Sequence, residues 1–464
     1  MSAEVGLVNA SKSRESLQGL WIGPDDGEVF PEDGGGILGN ITNFCTVEVN
    51  DKDAGKYGAL QRRKYELQDI AAKLLPDSRV GVCLRMSRTG EVDLIYDSAE
   101  RAGRLGNVVV CDSAWICPVC AVRHGLEDRE QLTSAMAAAA AKGYTTGMGT
   151  FTLQHHLGEG FKDVLRKLKK AFSDMRRSWA WGEFKAKYGL IGDIVNLEPR
   201  ISLTMGPHPH LHVIFVFSGT LSPLQKAEIE DFMSGYYRRM LDKHGGYASW
   251  EHGVVLSWEK DDIDRYLSKW GLESELSGSE AKTSKHSYHP FELLALVEGG
   301  GDVGKLAGEL FKEYAAAIKG SQRLRFSDGL KEALLGKPEE KPEEPEEPEE
   351  EDVAGPQVLE TLEWAEWRIV EERGARGRLV ECLTNSGGDR EKVWTFLVSL
   401  GIPRRFSEDW IVWQIRKFLL IRERYIGAQY HEAAARLEEL IPLAERYLLD
   451  GIIWAALQGE NVTL

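Results

Sequence analysis

The chain has 464 residues, of which 42% are hydrophobic and 28% charged, and its net charge is −16. At roughly 150 residues per domain, this length predicts about three domains, and the composition excludes global disorder. No apolar run approaches the ~18 residues of a membrane span. The N-terminus shows neither the apolar core nor the small-residue cleavage site of a secretory signal, so the expected compartment is the cytoplasm. A net −8, half of the net charge, sits in residues 337–352 (KPEEKPEEPEEPEEED), where ten acids face two lysines. Whole-chain charge therefore does not exclude a nucleic-acid partner.

Residues 1–60 are rich in Gly and Asp, with weak periodicity, and read as mostly flexible. The stretch GALQRRKYELQDIAAKLL reads as the first good helix and opens a helical and Cys-rich segment over 61–142. Within it, REQLTSAMAAAAAKG reads as a helix closed at Gly143.

Residues 143–336 alternate regularly. GMGTFTL (147–153) reads as a strand, 161–187 as one long amphipathic helix, and 194–205 as a broken strand. HPHLHVIFVF (208–217) reads as a second strand. Ser222-Pro223-x-Gln225 is a capping box opening a helix to about His244. GVVLSW (253–258) is a further strand, with helix from Asp261 onward. The order β-α-β-β-α-β predicts an α+β fold, a ferredoxin-like antiparallel sheet with helices on one face. The Pro/Glu repeat (337–355) is an acidic linker, since proline and like charge oppose packing. Residues 356–464 read as a small all-α domain.

Four constellations carry chemistry. His208, His210 and His212 stand two residues apart on a strand, so their imidazoles share one face. With a carboxylate such as Glu198 on the preceding strand they match a divalent-metal site, the alternative being polar residues on a sheet face. Asp262, Tyr266 and Lys269 share one helical face. A tyrosine becomes a nucleophile where a cation or metal stabilises its developing charge. Lys269 would lower its pKa or hold a phosphate, and Asp262 would activate water or take a proton. Taken alone, the triple is also an ordinary surface pattern.

Cys83, Cys111, Cys117 and Cys120 can supply four thiolates for structural zinc, with His124 a competing fourth ligand. Residues 161–190 hold nine Lys/Arg against three acids, Lys167, Lys170, Arg176 and Arg177 among them, interleaved with Trp179, Trp181 and Tyr188. A second cluster is Tyr236, Tyr237, Arg238 and Arg239. Basic groups neutralise phosphates and aromatics stack on unpaired bases, although a solvated helix face has the same composition.

In this order these blocks resemble the plasmid rolling-circle replication initiators of the HUH endonuclease superfamily, in the Rep type of Gram-positive plasmids. CDSAWICPVCAVRH is similar to the family's cysteine knuckle, TFTLQHH to its first motif and EPRISLTMGPHPHLHVIF to its metal motif. RYLSKWGLESELSGSEAKTSKHSYHPFELL is similar to its tyrosine motif, and EYAAAIKGSQRLRFSDGL to the block that follows. The resemblance covers about residues 65–335. It implies His210 and His212 as paired ligands of Mg²⁺ or Mn²⁺, Glu198 as third ligand and His208 as an extra histidine. It implies that Tyr266 attacks a phosphate of single-stranded plasmid origin DNA, leaving a 5′-phosphotyrosine and a free 3′-OH, with Lys269 near the phosphate and Asp262 activating water at termination. Relatives carry no histidine at the place of His124, which favours Cys83 as the fourth zinc ligand. Gly206-Pro207 replaces the family's usual Gly-Trp. Rival readings are a relaxase or transposase of the same superfamily, a non-catalytic DNA-binding replication regulator, and a zinc hydrolase of small molecules. For the C-terminal domain the candidate contacts are double-stranded origin, a host helicase or a second protomer.

Overall fold

A computed structural model describes residues 51–156, 158–268, 287–336, 355–424, 428–447, 449–459 and 462. Most of the segment read as flexible (1–50) and nearly all of the acidic linker (337–354) lie outside the described residues, as does Lys269. In chain order the main elements of the first three hundred residues are α1 (Asp51–Leu74), β1 (Glu91–Asp97), β2 (Ala102–Gly106), α2 (Pro118–Ala141), β3 (Thr145–Phe151), α3 (Phe161–Arg176), α4 (Trp179–Tyr188), β4 (Leu190–Glu198), β5 (Ile201–Ser202), β6 (Gly206–Pro207), β7 (His210–Phe217), α5 (Pro223–Lys243), β8 (Val254–Ser257), α6 (Lys260–Ser268) and α7 (Pro290–Gly299). They are followed by α8 (Gly301–Ile318), β9 (Leu324–Phe326), α9 (Leu330–Leu335), β10 (Pro356–Glu363), α10 (Trp364–Glu372), α11 (Arg376–Ser386), α12 (Arg390–Ser399), α13 (Glu408–Arg424), α14 (Ala428–Glu438), α15 (Ile441–Ala444) and α16 (Asp450–Leu457).

The chain divides into two compact units. Of the described residues, the first comprises those within 63–83 and 109–336, and the second those within 51–62, 84–108 and 355–462. The first unit is built on a five-stranded antiparallel sheet of order β8-β3-β7-β4-β9. Side chains alternate across the central strand β7. Phe215 joins Phe151, Phe172, Trp181 and Tyr237 on one face, so α3, α4 and α5 cover that side. Ile214 and Val216 join Leu132, Ala135, Ala139, Ile263, Tyr266 and Leu330 on the other, which places α2, α6 and α9 there. The expectation of helices on one face is thereby amended. The Ala-rich helix α2, read as lying before the fold, is the cover of the second face, because its small side chains allow close approach to the sheet.

Local chemistry explains the boundaries. The capping box at Ser222 opens α5 as the spacing predicts, with Gln225 N donating to Ser222 Oγ and Ser222 N to Gln225 Oε1. The single helix predicted over 161–187 is instead two, because Ser178 takes extended dihedrals and its Oγ accepts from Trp181 N to start α4. The first helix starts at Asp51, ahead of the predicted Gly58.

The second unit carries a three-stranded antiparallel sheet, β10-β1-β2. The stretch read as all-helical beyond the linker is helical from Trp364 onward but opens on a strand. Linear domain boundaries miss this unit, since its sheet pairs residues 91–97 with 356–363. Its core joins Val92, Leu94, Leu362, Trp367, Val370, Leu379 and Leu383. A separate helical cluster centres on Ile411, Ile415, Phe418 and Ile453. Among the described residues no helix is long and apolar enough to cross a membrane.

Candidate active site

The site grows out of the ends of β4 and β7. Their register sets Asn196 opposite His212 and Glu198 opposite His210, while β3 sets Thr150 opposite His212 from the other side. All five side chains continue the face covered by α2 and α6. His212 Nε2 lies 2.5 Å from Glu198 Oε2, and its Nδ1 lies 3.1 Å from Thr150 Oγ1. A hydroxyl donates or accepts, so Thr150 can hold this ring in either tautomer. The His210 and His212 rings are parallel within 6° at 6.1 Å, and His208 meets His210 edge-on at 4.4 Å. Arg200 Nε stands 3.8 Å from Glu198 Oε1.

Burial acts to raise the Glu198 carboxyl, but the His212 hydrogen bond and the nearby charges of His212 and Arg200 hold it at about 2. Burial first, then neighbouring positive groups, lowers His208 to about 4 and His210 to about 3. An ionised carboxylate beside the neutral imidazoles of His208 and His210 offers lone pairs to a cation. Among the described residues, however, only the cysteine group described below brings three or more ligand atoms all within 4.8 Å of one another.

Tyr266 is delivered to this cluster by α6. Its ring packs on His212 at a centroid distance of 4.7 Å, and the residue is only 8% exposed. Asn196 Nδ2 donates to Tyr266 Oη at 2.5 Å, and Asn196 Oδ1 is buried without a hydrogen-bond partner. Asp262, one turn earlier, accepts from Ser257 Oγ at 2.5 Å and pairs with Arg265 at 3.4 Å. Sequence reasoning missed Asn196 and His155. His155 Nδ1 lies 3.1 Å from His208 Nδ1, and its Nε2 is buried and unpartnered. Both signals were present, as a polar residue in an apolar strand and as the last histidines of TFTLQHH, but neither has a spacing that marks it.

The basic cluster is brought together only in part. Arg176 forms a 2.9 Å ion pair with the buried Asp193, and Lys167 a 2.5 Å pair with Glu159, so both serve the fold rather than lie free. Lys170 is exposed; Arg177 is exposed and pairs with Asp174 at 2.9 Å. Of the interleaved aromatics, Trp181, Tyr188 and Tyr237 are buried, and Trp179 is exposed.

Cys83, Cys111, Cys117 and Cys120 are all buried, with their sulfurs within 4.8 Å of one another. Sγ–Sγ separations are 3.7 Å (Cys83–Cys120), 3.6 Å (Cys111–Cys120) and 3.8 Å (Cys83–Cys117). A tetrahedron of ~2.3 Å zinc–sulfur bonds has an edge of about 3.8 Å. The geometry thus fits a closed four-thiolate centre that can hold a metal such as zinc. Gln68 Nε2 donates to Cys117 Sγ at 3.2 Å as an outer support. His124 turns away to Asp112 at 3.0 Å and Glu127 at 3.3 Å, leaving Cys83 as the fourth member.

Comparison with known proteins finds similarity to "Protein rep" of Streptomyces lividans, 25% identical over 261 residues, covering 45% of this chain and 56% of that protein. A "Neomycin resistance protein" of Streptomyces cyanogenus is 25% identical over 146 residues, covering 26% of this chain and 33% of that protein. The chain thus spans about half the length of the first relative and a third of the second. No family model and no solved structure matches.

Proposed function

We propose that the chain is a plasmid replication protein that nicks and rejoins single-stranded origin DNA through a covalent link to Tyr266. The similarity to a protein named rep supports the replication role. The observation that carries the chemistry is the placement of the Tyr266 ring on His212, with its Oη held by Asn196 beside the histidine–carboxylate cluster. In the proposed step Oη bonds to the scissile phosphorus and the P–O3′ bond breaks. The phenol loses one proton and the departing 3′-oxygen gains one, so the step balances without oxidant or ATP. His210, His212 and Glu198 would hold Mg²⁺ or Mn²⁺, which supplies Lewis-acid polarisation of the phosphate. Asn196 orients the nucleophile, and Thr150 orients His212. The free 3′-OH then primes synthesis, and the phosphotyrosine retains the bond energy for rejoining. The four cysteines would hold structural zinc.

Incubation with a labelled single-stranded origin oligonucleotide and Mn²⁺ should give a denaturant-resistant adduct. Tyr266→Phe should abolish the adduct and retain DNA binding. Adduct formation by the variant removes Tyr266 as nucleophile; a wild type that binds origin DNA but never nicks it leaves the regulator reading.

A further inference from the structure

The segment between α5 and β8 runs beside the strand end that enters the histidine cluster. Gln154 N donates to Tyr247 O at 2.7 Å, Thr152 N to Gly253 O at 2.9 Å, and Thr152 Oγ1 to His252 O at 2.8 Å. The residue after Gln154 is His155, whose ring touches His208. The loop is also braced internally. Arg238 Nε donates to Ala248 O at 3.0 Å, Gly253 N to Ser249 O at 3.0 Å, and His252 N to Ser249 Oγ at 3.1 Å.

On this braced frame two large aromatic side chains stand in solvent: Tyr247 is 57% exposed and Trp250 is 53% exposed. The indole of Trp250 lies against α5. The Arg238 guanidinium is 5.1 Å from its ring, and a Cβ at Gly235 would stand 3.9 Å from it. The ring is therefore positioned from below while more than half of it stays open. Core packing does not account for these residues; the neighbouring Tyr237, by contrast, is fully buried and donates to Thr152 O at 3.0 Å. Fixed, exposed aromatics beside positive charge suit the faces of unpaired bases, which a duplex keeps covered. Arg238 and Arg239 on the same stretch of α5 supply that charge, whereas Lys243 pairs with Asp174 at 3.1 Å.

We propose that Tyr247 and Trp250 form a base-stacking platform that holds the single strand next to the histidine–tyrosine site. The inference rests on the single-stranded substrate of the reading above and adds where that strand is gripped. The platform predicts an aromatic, sequence-tolerant contribution to affinity, separate from the phosphate contacts.

The test is the affinity of the full chain for a labelled oligothymidylate and for a duplex of the same length, over a series of salt concentrations. Tyr247→Ala and Trp250→Ala should each weaken single-strand binding about 10-fold, and the pair about 100-fold, with duplex binding little changed. The slope of log affinity against log salt should stay at the wild-type value, because no phosphate contact is lost. Trp250→Phe, which keeps a ring, should recover most of the loss. Both positions are exposed, so thermal midpoints should match wild type, which separates lost stacking from unfolding. Wild-type affinity in the double variant, equal loss on duplex and single strand, or failure of Phe to rescue overturns the platform. If the wild type still forms the tyrosine adduct in that case, the platform alone falls; if the wild type binds no single strand at all, the nicking reading falls with it.

Discussion

Asn196 offers the sharpest test of the role proposed for Tyr266. Its Nδ2 donates to Oη at 2.5 Å in a setting where Asn196 is only 8% exposed. A donor there directs the phenol's own hydrogen away from Asn196 and supports the oxygen as negative charge develops. A hydrogen bond to a charged group is worth about 1.5–3 kcal/mol, which corresponds to ~10–150-fold in rate. Asn196→Ala should therefore slow single-turnover adduct formation by a factor in that range, with oligonucleotide affinity unchanged. Asn196→Asp keeps the shape but reverses the polarity, since a carboxylate accepts the phenol hydrogen and repels the developing phenolate. It should be slower than the alanine variant. If Asn196 only fills space, the order inverts and the isosteric aspartate is the milder change. An aspartate variant as fast as wild type would refute the reasoning outright.

Further expectations follow from the same structure. Metal analysis of purified protein should find one zinc per chain, and Cys117→Ser should lose it together with a large part of the thermal stability of the first unit. Arg176→Ala should destabilise by about 3 kcal/mol in denaturant titration, the low end for a broken buried pair because Arg325 also neutralises Asp193; its single-strand affinity should stay near wild type, and the opposite pattern would return Arg176 to the DNA-contacting set. Acid should destabilise the first unit early. His210 and His208 are held near 3 and 4 by burial, whereas the unfolded chain protonates them near 6.5, so stability falls as pH drops from about 6.5 to 4. Each histidine contributes a slope of about 1.4 kcal/mol per pH unit. Glu198 acts in the same direction at lower pH: its contribution is present above about 4.5 and is lost as pH falls toward 2. His210→Ala should flatten the slope measured between pH 5 and 6 by less than half, because burial also lowers His155.

Much of the site was legible as spacing. Histidines two apart on a strand share a face whatever the rest of the chain does, and a capping box such as Ser222–Gln225 states its own helix start. The cysteine set was legible too, because thiolate ligands cluster in characteristic intervals. These are short-range facts, carried by the period of the backbone and the chemistry of neighbouring residues. Tertiary structure decided the rest. Asn196 matters only because β4 pairs with β7 in a register that sets it opposite His212, under a tyrosine seventy positions away. Arg176 looked like a phosphate contact until the helix carrying it packed over the sheet and brought it to Asp193. Residues 91–97 joined the strand beyond the acidic linker through backbone hydrogen bonds, which carry no signature in composition. Periodicity declares which way a side chain faces along its own element; which partner waits there is set by the packing of elements distant in sequence.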